Sequence, residues 1–332
     1  LNKPAMESLG NVFYKPSEKQ IWTGRIDGET PEFLRWHQLI SCIDLDTDLP
    51  SLEKQIVFLG FCCDEGVKRN QGRIGAKDAP AALRKVLAGL PNHLQAEVKL
   101  ADAGDVICIA EDMEAAQNEL AKRVAQILDH GGFPIVLGGG HEVTYGHFNG
   151  LKAHSKSKKL GVINLDAHFD IRNLANNQGN SGTGFYQIFQ DAEKEGFEAS
   201  YLALGIQDIS NTQALFNYAK EKGVQVINRE EIFPENIDKV IAQIQSFAEQ
   251  TDAIYLTVDM DAFAASYAPG VSAPAFNGIV PDHGFQQIFQ SIMNLPNLKC
   301  LDFAEINPLY DIDNRTTKLA ADLIFRLVNN KR

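Results

Sequence analysis

An α/β fold built on a parallel sheet with helices on both faces is what this sequence predicts. Three observations lead there: short β-rich apolar runs recur, longer stretches of helical character separate them, and the composition is that of an ordinary globular chain. The runs are Gln55 to Cys63, Val98 to Ala101, Phe133 to Leu137, Leu160 to Leu165, Ser200 to Leu204, Val224 to Asn228, Ala253 to Val258 and Leu298 to Phe303, each of strand length and strand composition. Helical stretches fall at Asp78 to Leu90, Asp112 to His130, Asn211 to Lys222, Glu235 to Glu249 and Gly284 to Asn294, and Thr316 to Val328 closes the chain. Strand then helix, repeated about eight times, makes successive strands parallel, because each crossover helix returns the chain to the same end of the sheet. An open doubly wound sheet and a closed barrel both satisfy this alternation, and both put their sites at the carboxyl ends of strands.

The first fifty residues read differently, being polar and punctuated. Residues 1–50 are expected to form an N-terminal extension, anchored on the main body by Trp22 and Trp36, while residues 51–332 form one large domain. Neither a linker nor a repeat of fixed period interrupts them. Hydrophobic residues make up 44% and charged residues 22% of the 332, which gives enough apolar surface for a full core and no sign of disorder. A formal charge of −12 argues against nucleic acid, which needs a basic face to displace counterions. No run of eighteen apolar residues suggests a membrane span, and Leu1 to Gly10 lacks the basic-then-apolar pattern of an export signal. The five cysteines, Cys42, Cys62, Cys63, Cys108 and Cys300, are odd in number and show no C-x-x-C spacing, so they are expected to be reduced, mostly buried, and housed in the cytoplasm. The expected partner is a small molecule, with assembly into a homo-oligomer left open.

The chemistry is concentrated at three strand ends. Asn164-Leu165-Asp166-Ala167-His168-Phe169-Asp170 follows an apolar run, and its acids and histidine occupy alternate positions. In extended chain, alternate side chains share a face roughly 6–7 Å apart, close enough to converge on one or two cations. Asp259-Met260-Asp261 repeats the device after Ala253 to Val258. Gly138-Gly139-Gly140-His141-Glu142 ends a third strand, with glycines that let backbone pack beneath a site and a histidine that opens the next helix. Together they supply His141, Asp166, His168, Asp170, Asp259 and Asp261. Burying four carboxylates in one crevice costs on the order of several kcal/mol per ion, so compensating positive charge is required. Two divalent cations would supply it. The oxygen-rich set with two histidines suits manganese better than zinc or calcium, with cobalt, nickel and iron as alternatives. One Asp-x-Asp alone is usually a solvated turn, and one histidine alone is usually packing. Three such patterns at three strand ends make coincidence improbable.

In this order the patterns resemble the ureohydrolase family of arginases, agmatinases and formimidoylglutamases. The likeness runs from about Cys63 to Pro308, and takes in Asn70-Gln71-Gly72-Arg73-Ile74-Gly75-Ala76 and Glu305-Ile306-Asn307-Pro308 as well as the three strand ends. It implies a single-domain three-layer α/β fold with an eight-stranded parallel sheet, hence the open sheet. It also implies two Mn2+ per subunit, one held by His141, Asp166, Asp170 and Asp259, the other by Asp166, His168, Asp259 and Asp261. Several features are similar to the formimidoylglutamase branch: Gly-Gly-Gly-His-Glu where arginases usually read Gly-Gly-Asp-His-Ser, Ala262-Phe263 after Asp261 in place of a further Asp-Pro, Ala268 to Pro274, Trp22 to Asp27, and Ser181-Gly182-Thr183. One feature departs from arginases and agmatinases. Gly184-Phe185-Tyr186-Gln187 has no counterpart of their His-Gly, which leaves the proton donor open among water, a ligand carboxylate such as Asp170, Tyr186 and a group the sequence does not identify.

The resemblance implies hydrolysis of N-formimidoyl-L-glutamate, a linear amidine, to L-glutamate and formamide, a step of histidine degradation. Glu305 would accept hydrogen bonds from the cationic amidine. The substrate's two carboxylates call for donors, with Arg172 first because a guanidinium pairs bidentately with a carboxylate, and Asn173, Ser181, Thr183 and Gln207 on neighbouring loops. Arg69 and Asn70 are placed to close the rim. The nearest rival is an arginase or agmatinase releasing urea from the same metals and fold, and a binding protein without activity is a rival of another class. A two-metal phosphoesterase lacks its basic phosphate cradle here.

Overall fold

All eight apolar runs become strands in the computed structural model, which describes residues 12–330. The Leu1 to Gly10 segment considered above for export lies outside the described residues. The strands are β1 (Tyr14–Lys15), β2 (Ser41–Cys42), β3 (Gln55–Cys62), β4 (Lys99–Ile107), β5 (Phe133–Leu137), β6 (Lys159–Leu165), β7 (Glu198–Ile206), β8 (Gln225–Asn228), β9 (Ala253–Asp259) and β10 (Leu298–Ala304). One open sheet contains them in the order β1-β4-β3-β5-β10-β9-β6-β7-β8, with β2 also on β4. The expected eight strands, β3 to β10, are parallel throughout; the sheet gains two more because Tyr14–Lys15 pairs antiparallel and Ser41–Cys42 parallel with β4. The chain builds β3, β4 and β5, crosses to β6, β7 and β8 on the far side, and returns through β9 and β10 to fill the middle. The four contiguous central strands β5, β10, β9 and β6 therefore meet where the winding direction reverses, the place at which open α/β sheets leave a crevice.

Ten α-helices are described: α1 (Trp36–Leu39), α2 (Glu65–Arg69), α3 (Ala79–Ala88), α4 (Met113–Asp129), α5 (Val143–His154), α6 (Gly184–Glu195), α7 (Gln213–Glu221), α8 (Ile237–Glu249), α9 (His283–Met293) and α10 (Arg315–Asn330). Alternation along the strands sends Phe58, Ile163, Leu256 and Phe303 into one core with α3, α8, α9 and α10. Val57, Val162, Tyr255 and Cys300 point oppositely, toward α4, α5 and α6. Both faces are thus covered, as a parallel sheet requires. None of the described helices is long and apolar enough to cross a membrane.

Two elements exceed the sequence expectation. Strand β4 continues well past Ala101 through Asp102-Ala103-Gly104-Asp105, a polar segment that reads as a turn. It stays in the sheet because Asp102, fully buried, accepts both Nε and Nη2 of Arg84 at 2.9 Å, the Trp22 indole N–H at 2.6 Å and the Ser17 hydroxyl at 2.7 Å. Trp22 and Trp36, both buried, stack on Phe58 at 6.2 and 6.1 Å, so the early segment is fastened by an aromatic cluster and a buried ion pair together. Asp102→Ala is expected to destabilise the fold by about 3–5 kcal/mol, because it takes the bidentate partner from a buried guanidinium, leaving it Asp105, and removes the acceptor of the Trp22 and Ser17 hydrogen bonds. Urea denaturation would measure it, and a change below about 1 kcal/mol would refute the assignment. The second surprise is α6, whose first turn is Gly184-Phe185-Tyr186-Gln187. Phe185, Ile188 and Phe189 form its buried stripe at helical spacing, and Phe185 stacks on Tyr201 at 4.3 Å. Tyr186 packs its ring on Tyr218 at 5.6 Å, in the outer layer.

Candidate metal centre

Six acids and histidines from three of the central strands converge at their carboxyl ends. The Nδ1 of His141 lies 2.7 Å from Asp170 Oδ2, 3.2 Å from Asp166 Oδ2 and 3.2 Å from Asp259 Oδ2. The Nδ1 of His168 lies 3.1 Å from Asp261 Oδ2 and 3.3 Å from Asp166 Oδ1. Two groups result that could each hold a cation: His141, Asp166, Asp170 and Asp259, and Asp166, His168 and Asp261. Asp166 gives one oxygen to each, which is the geometry of a bridging carboxylate. Asp259, which the resemblance gives to both ions, falls in the first group alone.

Local structure explains the convergence. Gly139 has φ +83, and a side chain there would press on the Phe61 carbonyl at 2.8 Å, so only glycine lets the chain turn from β5 toward His141. His141 ends that turn, and Glu142, not His141, caps α5. Asp166 Oδ1 accepts the His168 amide at 2.7 Å and Asp259 Oδ1 accepts the Asp261 amide at 2.8 Å, two tight Asx turns that swing each second ligand back beside the first. The Asn164 amide, two residues before Asp166, donates to Asp166 Oδ2 at 3.0 Å and fixes its second oxygen. Asp170 and Glu305 both sit at positive φ, +49 and +64, conformations that non-glycine residues adopt at a cost and that cluster at functional sites.

Behind His141 stands a support that the ligand spacing does not reveal. The Thr257 hydroxyl donates to Asp302 Oδ1 at 2.6 Å, so its oxygen accepts from the His141 Nε2–H at 2.9 Å. That fixes the tautomer in which a neutral His141 turns the Nδ1 lone pair toward the carboxylates, as a ligand must. Asp302 is fully buried and also accepts from His147 Nδ1 at 2.7 Å and from the Tyr255 hydroxyl. A lone acid inside the apolar run Leu298 to Phe303 was the available signal for it.

The electrostatics are those of a pocket short of positive charge. Burial pulls the His168 imidazole down, yet the Asp261 and Asp166 carboxylates outweigh it and hold its pKa up to about 12. His141 is likewise held well above the ordinary range against burial, chiefly by Asp259. Burial with Asp166 nearby lifts Asp261 to about 6, against the pull of His168, while burial with Asp261 and Asp166 lifts Asp259 well above the usual carboxylate range. Burial and the neighbouring Glu142 raise Glu305 to about 8. Three buried carboxylate oxygens, Glu142 Oε2, Asp261 Oδ1 and Glu305 Oε2, have no hydrogen-bond partner among the described residues. Hard oxygen donors in this number, with two imidazoles, fit divalent cations of the manganese type.

A cavity of about 300 Å³ opens over the cluster, lined by both histidines, Asp170, Asp259, Asp261, Glu305, Arg172, Ser181 and the Asn70 to Gly72 corner. Glu305 Oε1 accepts the His141 backbone N–H at 2.8 Å, which leaves Oε2 for the cavity. Arg172 is exposed on the wall, and its Nη1 donates to Asn70 Oδ1 at 3.2 Å. Asn173 is exposed, Thr183 is buried with its hydroxyl bound to Asn180 and Gln187, and Gln207 is buried beside Asn211; the three are not among the lining residues. Arg69 is engaged by Glu114 at 2.6 Å and Glu65 at 3.2 Å. A larger open cleft of about 1080 Å³ at the amino ends of β9 and β10 is lined mainly by amide, aliphatic and hydroxyl side chains and has no such cluster.

A doubly wound α/β sheet with this cluster at its reversal point defines a class, and the chain belongs to the arginase family, whose sequence model matches residues 54–329. The chain is 43% identical over 310 residues to the formimidoylglutamase of Geobacillus thermodenitrificans, covering 93% of this chain and 94% of that protein. It is 39% identical over 319 residues to the formimidoylglutamase of Ralstonia nicotianae, covering 94% and 96%. Among solved structures it is similar to Trypanosoma cruzi formiminoglutamase with two Mn2+ ions, at a TM-score of 0.73 and 27% identity over 87% of this chain and 97% of that one.

Proposed function

We propose that this chain is a dinuclear manganese formimidoylglutamase, hydrolysing N-formimidoyl-L-glutamate to L-glutamate and formamide. The observation that carries this reading is the polarity of the cavity. A buried Glu305 oxygen without a hydrogen-bond partner among the described residues stands beside the cluster, and Arg172 is the guanidinium among the lining residues. An amidinium at one end and carboxylates at the other are the complement of that wall. His141, Asp166, Asp170 and Asp259 would hold one manganese, and Asp166, His168 and Asp261 the other. Two bound divalent ions would supply Lewis acidity, lowering the pKa of a solvent molecule toward neutrality.

The residues do the rest. Glu305 Oε2 accepts N–H from the amidinium and so fixes the formimidoyl carbon over the cluster, while Arg172 binds a carboxylate and sets the approach. Oxygen from water adds to that carbon, the bond from carbon to the glutamate nitrogen breaks, and the nitrogen leaves with a proton. Asp170, on the cavity wall beside His141, is the group we assign to take a proton from that water and pass it to the leaving nitrogen. Of the N-terminal extension, residues 1–50, the described part from residue 12 onward braces the sheet edge through β1 and β2, and thiols not joined in disulfides among the described residues favour a reducing compartment, the cytoplasm.

The manganese-loaded protein is expected to release formamide from N-formimidoyl-L-glutamate and no urea from arginine or agmatine; urea as the main product would overturn the proposal in favour of an arginase or agmatinase. Arg172→Ala is expected to raise KM about 10- to 100-fold, the loss of one charge-assisted pair, while kcat changes little. An unchanged KM would remove Arg172 from the site.

A further inference from the structure

We propose that Asn70 is a positioning residue for specificity: its side-chain amide holds the Arg172 guanidinium in the attitude that receives a carboxylate. The inference rests on the reading of the cavity as a site for a dicarboxylate amidine. Asn70 Oδ1 accepts Nη1 of Arg172 at 3.2 Å, and Asn70 Nδ2 donates to Ser181 Oγ at 3.0 Å. A guanidinium pairs side-on with a carboxylate through Nε and Nη2, so a contact on Nη1 alone leaves the bidentate edge available. Arg172 has no ion pair among the described residues.

The neighbouring arginines show what the alternative looks like. Arg69 is bound to Glu114 and Glu65, and Arg73 donates to the Val271 and Ser272 carbonyls at 2.5 and 3.1 Å while lying over the Tyr310 ring. Among the described residues the Arg172 guanidinium donates its side-chain hydrogen bond to a neutral amide, which orients it without cancelling its charge. Asn70 can do this because its own backbone is fixed. It ends α2, donating its N–H to the Gly66 carbonyl at 3.0 Å, and the Gly66 N–H is held by buried Glu142 at 2.9 Å, next to His141. Gln71 follows at φ +62, a left-handed corner that turns the chain along the cavity wall. A long exposed arginine otherwise surrenders rotamer freedom on binding, a cost that a preset orientation avoids.

The test is a double-mutant cycle on manganese-loaded protein, with N-formimidoyl-L-glutamate and, as a probe without carboxylates, N-methylformamidine. Asn70→Ala is expected to raise KM for the dicarboxylate about tenfold with kcat within about twofold, and to leave turnover of N-methylformamidine unchanged. In an Arg172→Ala background the same change should shift KM less than about twofold. Equal shifts in both backgrounds, or an equal loss on N-methylformamidine, would mean a merely structural role and overturn the inference. Should the alanine variant fail to fold, Asn70→Asp keeps the shape and puts a carboxylate against the guanidinium; it should raise KM at least as much, and a wild-type KM would overturn the inference. Wild-type protein that leaves N-formimidoyl-L-glutamate intact would sink the substrate reading itself, whereas active wild type with an indifferent Asn70→Ala sinks only the role of Asn70.

Discussion

Exhaustive chelation is expected to abolish hydrolysis, added Mn2+ to restore it, and Asp259→Ala to lose bound metal and activity together, by a factor of about 10³ or more in rate. Asp259 is the sharpest probe because it is buried, lies 3.2 Å from the His141 ring nitrogen, and also holds the amide of Asp261 at 2.8 Å. Removing it takes a donor from one cation and loosens the turn that aims a donor at the other. Asp259→Asn retains the shape and should behave the same way, since an amide carries no charge to offset a divalent ion. Elemental analysis of the purified protein, paired with the rate of formamide release, reads both effects. Full turnover in protein shown to be free of metal would refute the proposed role of the cluster, and so would an Asp259→Ala variant that keeps both manganese and rate.

Much of this centre was legible in the sequence because its ligands come in pairs at strand ends. Alternate spacing in Asp166-Ala167-His168 and Asp259-Met260-Asp261 is a local signal, and the apolar run before each places it at a strand terminus. The fold was legible for the same reason: fully buried parallel strands are short continuous apolar runs. Strand β4 was cut short because its buried Asp102 depends on Arg84, a partner distant in sequence, and single-residue propensities carry no information about partners. Thr257, Asp302 and Asn70 were missed as supports on similar grounds. Each acts through hydrogen bonds to residues on other elements, partners that a linear pattern does not show, and only the lone acid in the apolar run Leu298 to Phe303 hinted at one of them, Asp302. Helix α6 is not among the predicted helices because the resemblance places a loop motif at Gly184 to Gln187, yet Phe185, Ile188 and Phe189 have helical spacing.

Glu305→Gln is expected to lower kcat/KM by about 10²- to 10³-fold while manganese content stays at the wild-type level. The two halves of that outcome come from the two oxygens of one side chain. Oε1 accepts the His141 backbone N–H at 2.8 Å, and a glutamine carbonyl can still accept that bond, so the ligand turn should survive. Oε2 has no partner among the described residues although it is buried, and in the glutamine variant the amide nitrogen stands in its place. A donor there would face the N–H groups of a cationic amidine, replacing an attraction between opposite charges by a clash of two donors. Backbone strain points the same way: a glutamate at φ +64 is retained against its conformational preference, which is intelligible if its carboxylate must stand at this spot. A variant with full metal content and kcat/KM within about twofold of wild type would show that the amidine is held elsewhere. A variant that also lost its manganese would make Glu305 a support of the metal turn instead of the substrate's partner.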